Sequence, residues 1–151
     1  MVESPKPSET IPKNKPLVSF EKVSAAIKAY PFPKADIVVG IANGGIVPAT
    51  LIAHHLGLPL RLTRVNYRDE SNQPQRKEPE FLTSLEVNDL PSSHIILLVD
   101  DVGVSGKTLA KVKNKLSGFQ VQTIVIKGKA DHVLMPALNT CVTWPWNLQQ
   151  L

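Results

Sequence analysis

The chain has 151 residues, 42% of them apolar and 20% charged, with a formal charge of +4. That is the size and balance of one globular domain able to bury a core. No run reaches the roughly 18–20 apolar residues of a membrane span, and the single cysteine, Cys141, excludes an internal disulfide and a multi-cysteine zinc site. The segment Met1–Pro16 lacks the apolar core of a secretory signal, so a cytoplasmic protein without membrane partners is expected. Lysines 6, 13 and 15 and lysines 107, 111, 113, 115, 127 and 129 carry much of the positive charge. Aromatic residues are only 5% and none lie between those lysines, which argues against nucleic acid as a partner. An anionic small molecule suits the second cluster at least as well, with Lys111, Lys113 and Lys115 read as a solvated helix face.

In chain order, residues 1–16 read as a flexible arm rich in Pro, Ser, Glu and Lys, and residues 17–151 as the domain. Ser19 is a helix N-cap, with Val23, Ala26 and Ile27 facing a core and Lys22 and Lys28 facing solvent. Tyr30-Pro-Phe-Pro33 ends that helix. Asp36–Ile41 predicts a buried strand, Ala42–Gly45 a tight turn, and Pro48 the first turn of a helix running to about His55 and stopped by Gly57. Leu58–Val65 is a second strand.

The polar stretch Asn66–Pro79 has no apolar period and predicts a long loop, a class that is usually functional. Phe81–Val87 predicts a short returning strand. Strand Ile95–Val99, helix Thr108–Leu116, strand Gln120–Ile126 and a last strand around Thr140–Thr143 follow. Helices alternating with apolar strands imply an α/β fold, a mostly parallel central sheet flanked by helices with a small hood. His54, His55, His94 and His132 have no metal-ligand spacing and read as surface or cap residues.

The richest segment is Ile95–Leu109. Five apolar residues lead to Asp100 and Asp101, then Val-Gly-Val-Ser-Gly, then a lysine-rich helix. Ligands of open α/β sheets bind beyond the carboxyl ends of strands, and a loop entering a helix N-terminus offers N–H groups to an anion. Paired acids beside such a loop suit a phosphorylated sugar or nucleotide, with hydroxyls or magnesium at the acids. The triphosphate loop G-x-x-x-x-G-K-[ST] matches only at Gly106-Lys107-Thr108. Its first glycine falls on Asp101, where a carboxylate would repel phosphate.

Val99–Thr108 instead resembles the phosphoribosyl-diphosphate (PRPP) signature of type I phosphoribosyltransferases, in particular the purine (xanthine-guanine/hypoxanthine) group. Asp36–Ala49 resembles that family's diphosphate loop, a strand followed by a glycine pair and a helix opening with Val-Pro. Glycine there lets backbone approach the diphosphate oxygens; related enzymes can hold a non-proline cis peptide in this turn. The resemblance implies that Asp100 and Asp101 are the catalytic acids, meeting ribose hydroxyls and Mg2+. It places the 5′-phosphate on Val104, Ser105, Gly106, Lys107 and Thr108, and the diphosphate on Asn43, Gly44 and Gly45. Asn66-Tyr67 resembles the start of the family's lid, Lys127 the lysine reading a purine's exocyclic oxygen, and Trp144-Pro-Trp146 the end of the xanthine-guanine type. Cys141 and Val142 then line the base.

The implied activity is transfer of phosphoribose from PRPP to a purine base, giving a nucleoside monophosphate and diphosphate. The implied assembly is a homo-dimer or homo-tetramer. Three positions depart from the pattern. Asn43 stands in place of an arginine, Val104 in place of the loop aspartate that handles the proton on purine N7, and Cys141 in place of the aromatic that stacks on the base. Lost stacking removes about 1–3 kcal/mol of base affinity. Cys141 itself reads as a small buried residue. The alternative function is a regulatory protein of the same fold that binds PRPP or nucleotide with weak or lost catalysis.

Overall fold

The computed structural model describes residues 15–66 and 80–147. Its sheet contains β1 (Ile37–Ala42), β2 (Leu60–Asn66), β3 (Glu80–Phe81), β4 (Ile95–Gly103), β5 (Gln120–Gly128) and β6 (His132–Val133). They lie in the order β3-β2-β1-β4-β5-β6. All neighbours pair in parallel except β2 and β3, which are antiparallel. Three helices complete the frame, α1 (Phe20–Ala29), α2 (Ile46–Leu56) and α3 (Lys107–Lys115).

The near-continuous apolar runs of the inner strands follow from burial on both sides. Val38, Leu97, Val99, Ile124 and Ile126 meet Val23 and Ile27 of α1 and Ala49, Ile52 and Ala53 of α2. Their strand neighbours Ile37, Val39, Ile41, Ile96, Leu98 and Val125 meet Leu109 and Val112 of α3 and Leu116 just beyond it. Strand side chains alternate between faces, so one strand serves both cores. Trp144 is buried in the first core and stacks on Trp146 at 5.3 Å between ring centroids.

Helix boundaries follow local chemistry. The Ser19 side chain accepts from the Lys22 N–H at 3.2 Å, starting α1 as the sequence indicates. Removing that acceptor by Ser19→Ala is expected to cost about 1 kcal/mol, read as a lower midpoint in thermal or urea unfolding. Helix α2 ends at Gly57, in the left-handed conformation with its N–H bonded to Ala53 and His54 carbonyls. At the foot of β4 the Ile95 N–H donates to Asp36 Oδ2 at 2.7 Å, which ties the entrances of β1 and β4 together.

Several sequence-based expectations need correction. Strand β4 does not stop at Val99, and β5 does not stop at Ile126. Both continue because Asp100 pairs with Val125, Val102 with Lys127 and Gly103 with Gly128. The return from the long loop is a two-residue strand, not one running to Val87. Beyond it one backbone bond remains, Leu82 N–H to Arg64 O, and side chains then take over, Arg64 N–H donating to Thr83 Oγ1 and the Arg61 guanidinium to Glu86 O and Asp89. The sixth strand is His132–Val133, whereas residues 140–143 contribute one bridge, Thr143 to Leu17.

His132 is no surface residue. The Tyr30 hydroxyl lies 2.7 Å from its Nδ1, and its Nε2 lies 2.8 Å from Gln122 Oε1. A neutral ring with its proton on Nε2 satisfies both contacts. His94 is half-buried, while His54 and His55 are exposed in the last turn of α2. Cys141 is exposed, because the bridge to Leu17 begins only at Thr143. Residues 1–14 of the expected arm lie outside the described residues, while Pro16 O accepts from Thr143 N–H at 3.0 Å. Among the described residues no helix is long and apolar enough to cross a membrane.

Candidate active site

From β1 the chain passes through α2 to β2 on one side; from β4 it passes through α3 to β5 on the other. The sheet therefore reverses direction between β1 and β4, and the crevice above their carboxyl ends is where such folds hold ligands. Three of the sequence motifs converge there.

The first is the turn Asn43–Gly45 after β1. Its entry peptide, Ala42–Asn43, is cis. Gly45 N–H donates to Ile41 O at 2.7 Å and Ile46 N–H to Asn43 O at 3.1 Å, folding the turn onto α2. Both glycines are needed for close approach. A Cβ on Gly45 would stand 2.6 Å from the carbonyl oxygens of Ile41 and Val99, and one on Gly44 2.5 Å from Asp101 Oδ1. The turn thus lies directly on the acid pair. Helix α2 begins just after Gly45 without a side-chain cap, and its N-terminal end lies at the crevice.

The second is the acid pair. Asp101 N–H donates to Asp100 Oδ1 at 2.9 Å, and Val102 N–H donates to Asp101 Oδ1 at 2.8 Å. Burial pushes the Asp100 carboxyl well above its ordinary range, and the adjacent Asp101 charge pushes it further. Burial also raises Asp101, opposed by hydrogen bonds from Asp100 and the Val102 N–H and by the positive charge of Lys127. Two desolvated carboxylates in contact are short of cationic or hydrogen-bonding partners. These hard oxygens fit a magnesium ion. Among the described residues no group of three or more His, Cys, Asp or Glu assembles. An ion there would take its remaining ligands from substrate and water, the usual habit of magnesium.

The third is the loop into α3. Gly106 caps the helix at φ +78°, a left-handed conformation that glycine adopts without Cβ strain. Lys107 N–H donates to Ser105 Oγ at 3.3 Å, and Ala110 N–H to Gly106 O at 2.9 Å. The helix begins at Lys107, one residue earlier than the spacing indicates. Val104 projects from the loop and is 55% exposed.

On the far side of β4, Lys127 stands opposite Val102 and close enough to Asp101 to lower its pKa. Lys129, one of the lysines of the second basic cluster, is brought in by a backbone contact. Its N–H donates to Gly103 O at 2.9 Å. Gly103 and Gly128 make this possible, since a Cβ on either would collide with the opposing backbone. Two paired strands each ending in glycine were the available signal for it. Val142 is half-buried against the core, and exposed Cys141 lies two residues before the Thr143 bridge. Asn66 is the last residue of β2, and Tyr67, the other expected lid residue, lies outside the described residues.

A parallel sheet with its topological switch beside a glycine turn, an acid pair and a phosphate-type loop defines an α/β nucleotide- or sugar-phosphate-binding protein. The phosphoribosyl transferase domain family matches residues 20–131, and the chain belongs to that family. A hypoxanthine/guanine phosphoribosyltransferase of Methanobrevibacter ruminantium is 33% identical over 134 residues, covering 84% of this chain and 71% of that protein. A xanthine-guanine phosphoribosyltransferase of Cereibacter sphaeroides is 26% identical over 118 residues, 74% of this chain and 68% of that protein. Among solved structures, a purine phosphoribosyltransferase from Pyrococcus horikoshii superposes with a TM-score of 0.69 at 23% identity, covering 88% of this chain and 93% of that one. That likeness establishes the type I phosphoribosyltransferase fold.

Proposed function

We propose that this protein transfers the phosphoribosyl group of PRPP to a purine base, releasing diphosphate and a nucleoside monophosphate. One observation carries the reading furthest: Gly44 of the turn lies against Asp101. The diphosphate leaves from C1 of the ribose while the neighbouring hydroxyls must be held, so a diphosphate turn and a hydroxyl-binding acid belong within one sugar's width. The relatives' names and the family match support the same reading.

In this reading the turn Asn43–Gly45 holds the diphosphate at the start of α2, Asn43 and Gly44 through backbone N–H groups and Gly45 by keeping the turn folded through its bond to Ile41 O. Residues 104–108 hold the 5′-phosphate at the start of α3. Asp100 and Asp101 bind the ribose hydroxyls, and their charge stabilises the oxocarbenium-like ribose as the C1–O bond lengthens. They are also the residues that would hold magnesium, which supplies positive charge to neutralise the departing diphosphate. Lys127 donates to the exocyclic oxygen of the base.

Thermal unfolding with PRPP and magnesium tests the binding half. At a hundredfold excess over Kd the ligand stabilises by about 2.7 kcal/mol, a rise of roughly 5–10 °C for a domain of this size. Incubation with PRPP and purine bases tests the transfer. Binding of PRPP and nucleoside monophosphates without transfer to any base would establish the regulatory reading instead. No shift with either ligand would remove both. Replacing Lys127 by methionine is expected to raise KM for the base about tenfold. It should leave PRPP affinity within about threefold, which separates base recognition from the sugar-phosphate half.

A further inference from the structure

The turn after β1 offers hydrogen-bond donors to an anion but no charge of its own, since residues 43–46 are Asn-Gly-Gly-Ile. On one flank of that turn stands Asp101, against Gly44. A diphosphate seated there, as the function proposed above requires, brings several negative charges beside two carboxylates. With magnesium held at the acids, the far flank of the diphosphate still receives no counter-charge from the turn. A cation on that flank would supply it, and the sheet order β2-β1-β4 makes that flank β2.

The strand register identifies the residue. Arg64 pairs with Ala42, the last residue of β1 before the turn. Its face follows from the residues below it. A Cβ on Gly40 would stand 2.6 Å from Ala49 Cβ of α2 and 2.9 Å from Leu62 Cδ2, so Gly40 and Leu62 share the α2 face. Alternation along the strands puts Ala42 and Arg64 on that face too, nearer the carboxyl ends. The turn folds over the same face, because Gly45 O lies 3.2 Å from the same Cβ position. Adjacent strands lie about 4.8 Å apart, less than the length of an arginine side chain. The Arg64 backbone is fixed on its other edge, its N–H donating to Thr83 Oγ1 at 3.1 Å and its carbonyl accepting from Leu82 N–H at 2.8 Å. Arg64 is exposed, so its guanidinium is accessible to a ligand. Arg61, the other arginine of β2, lies on the opposite face, where its guanidinium donates to Asp89 and Glu86 O.

We propose that Arg64 is the cation of the diphosphate subsite, forking two N–H groups onto its oxygens from the β2 side. During transfer a ring nitrogen of the base forms the new bond to C1, while the C1–O bond breaks and its electron pair leaves with diphosphate. The leaving group gains charge in that step, so the guanidinium stabilises the transition state more than the bound substrate. The proposal rests on the transferase reading for its ligand and on the register of β1 and β2 for its residue.

Calorimetry of the full chain with magnesium diphosphate, PRPP and ribose 5-phosphate tests it, on wild type, Arg64→Gln and Arg64→Lys. Arg64→Gln should weaken diphosphate and PRPP binding about tenfold or more and leave ribose 5-phosphate within about twofold. Arg64→Lys, which keeps the charge and loses the fork, should fall between. With a purine base, Arg64→Gln should lower kcat and raise KM for PRPP, while KM for the base stays within about twofold. Unchanged diphosphate and PRPP affinity in Arg64→Gln would overturn the inference and leave the transferase reading standing. So would an equal loss of ribose 5-phosphate affinity, the mark of a structural role. Should Arg64→Gln fail to fold, Arg64→Lys decides alone, and wild-type diphosphate affinity there would overturn the inference. A protein that binds diphosphate through Arg64 yet transfers to no base would keep the inference and retire the transferase reading. Binding of neither diphosphate nor PRPP would overturn both.

Discussion

Replacing Asp100 and Asp101 together by asparagine is expected to cut phosphoribosyl transfer sharply while making the free protein more stable. The two effects share one cause. Burial holds both carboxyls above their ordinary range, and the Asp101 charge pushes Asp100 further. The folded chain therefore binds protons more tightly than the unfolded chain does, and stability falls as pH rises from the unfolded carboxylate range, about 4, through the raised folded values. Asparagine keeps the shape and removes the charge, so this slope disappears. The variant should gain about 1–2 kcal/mol near pH 8, roughly 2–8 °C in Tm, and almost nothing near pH 4. With PRPP and magnesium the order reverses, because the ligand's hydroxyls and cation are what the carboxylates lack. Transfer should fall by a factor of about a hundred or more, as expected for removing charge aimed at a developing cation. Melting curves across pH with and without ligand read all of this. A variant no more stable than wild type near pH 8 would show that the acids are solvated instead of strained.

That trade between stability and function also explains what the sequence made visible. The acids, the glycine turn and the loop into α3 are short motifs whose meaning is local, and the structure has Gly44 in the turn after β1, Asp101 near the end of β4 and Gly106 at the cap of α3. The inner strands were readable because burial on both faces leaves runs such as Ile95–Val99 without a polar interruption. Their ends were not. Asp100–Gly103 looks like a turn in isolation and is held extended by β5, a partner about 25 residues away in the chain. The same holds for His132, whose environment is made by Tyr30 and Gln122, and for Thr143, which pairs with Leu17. Lys129 entered the site only through two glycines on neighbouring strands, a relation that exists in the sheet and not along the chain. Local chemistry was therefore legible, and pairing between distant segments was not.

Alanine at Gly44 and at Gly45 should separate the two jobs of the turn, with opposite signatures in stability and activity. At Gly45 the added Cβ meets the carbonyl oxygens of Ile41 and Val99, both part of the central strands. Neither can move without shifting β1 or β4, so Gly45→Ala is expected to destabilise by about 3 kcal/mol or more, at or above the upper end of overpacking costs. At Gly44 the obstacle is the Asp101 side chain, a terminal carboxylate that can rotate away. Gly44→Ala should therefore cost less than about 1 kcal/mol. Rotating that carboxylate displaces the group that holds the ribose beside the leaving diphosphate. A displacement of about 1 Å is enough to lower the rate by about a hundredfold. Urea unfolding and kcat/KM measured on both variants check the split. If Gly44→Ala kept wild-type activity, the contact between the turn and Asp101 would have no part in transfer. The proposed division of the site into a diphosphate turn and a ribose acid would then need another junction.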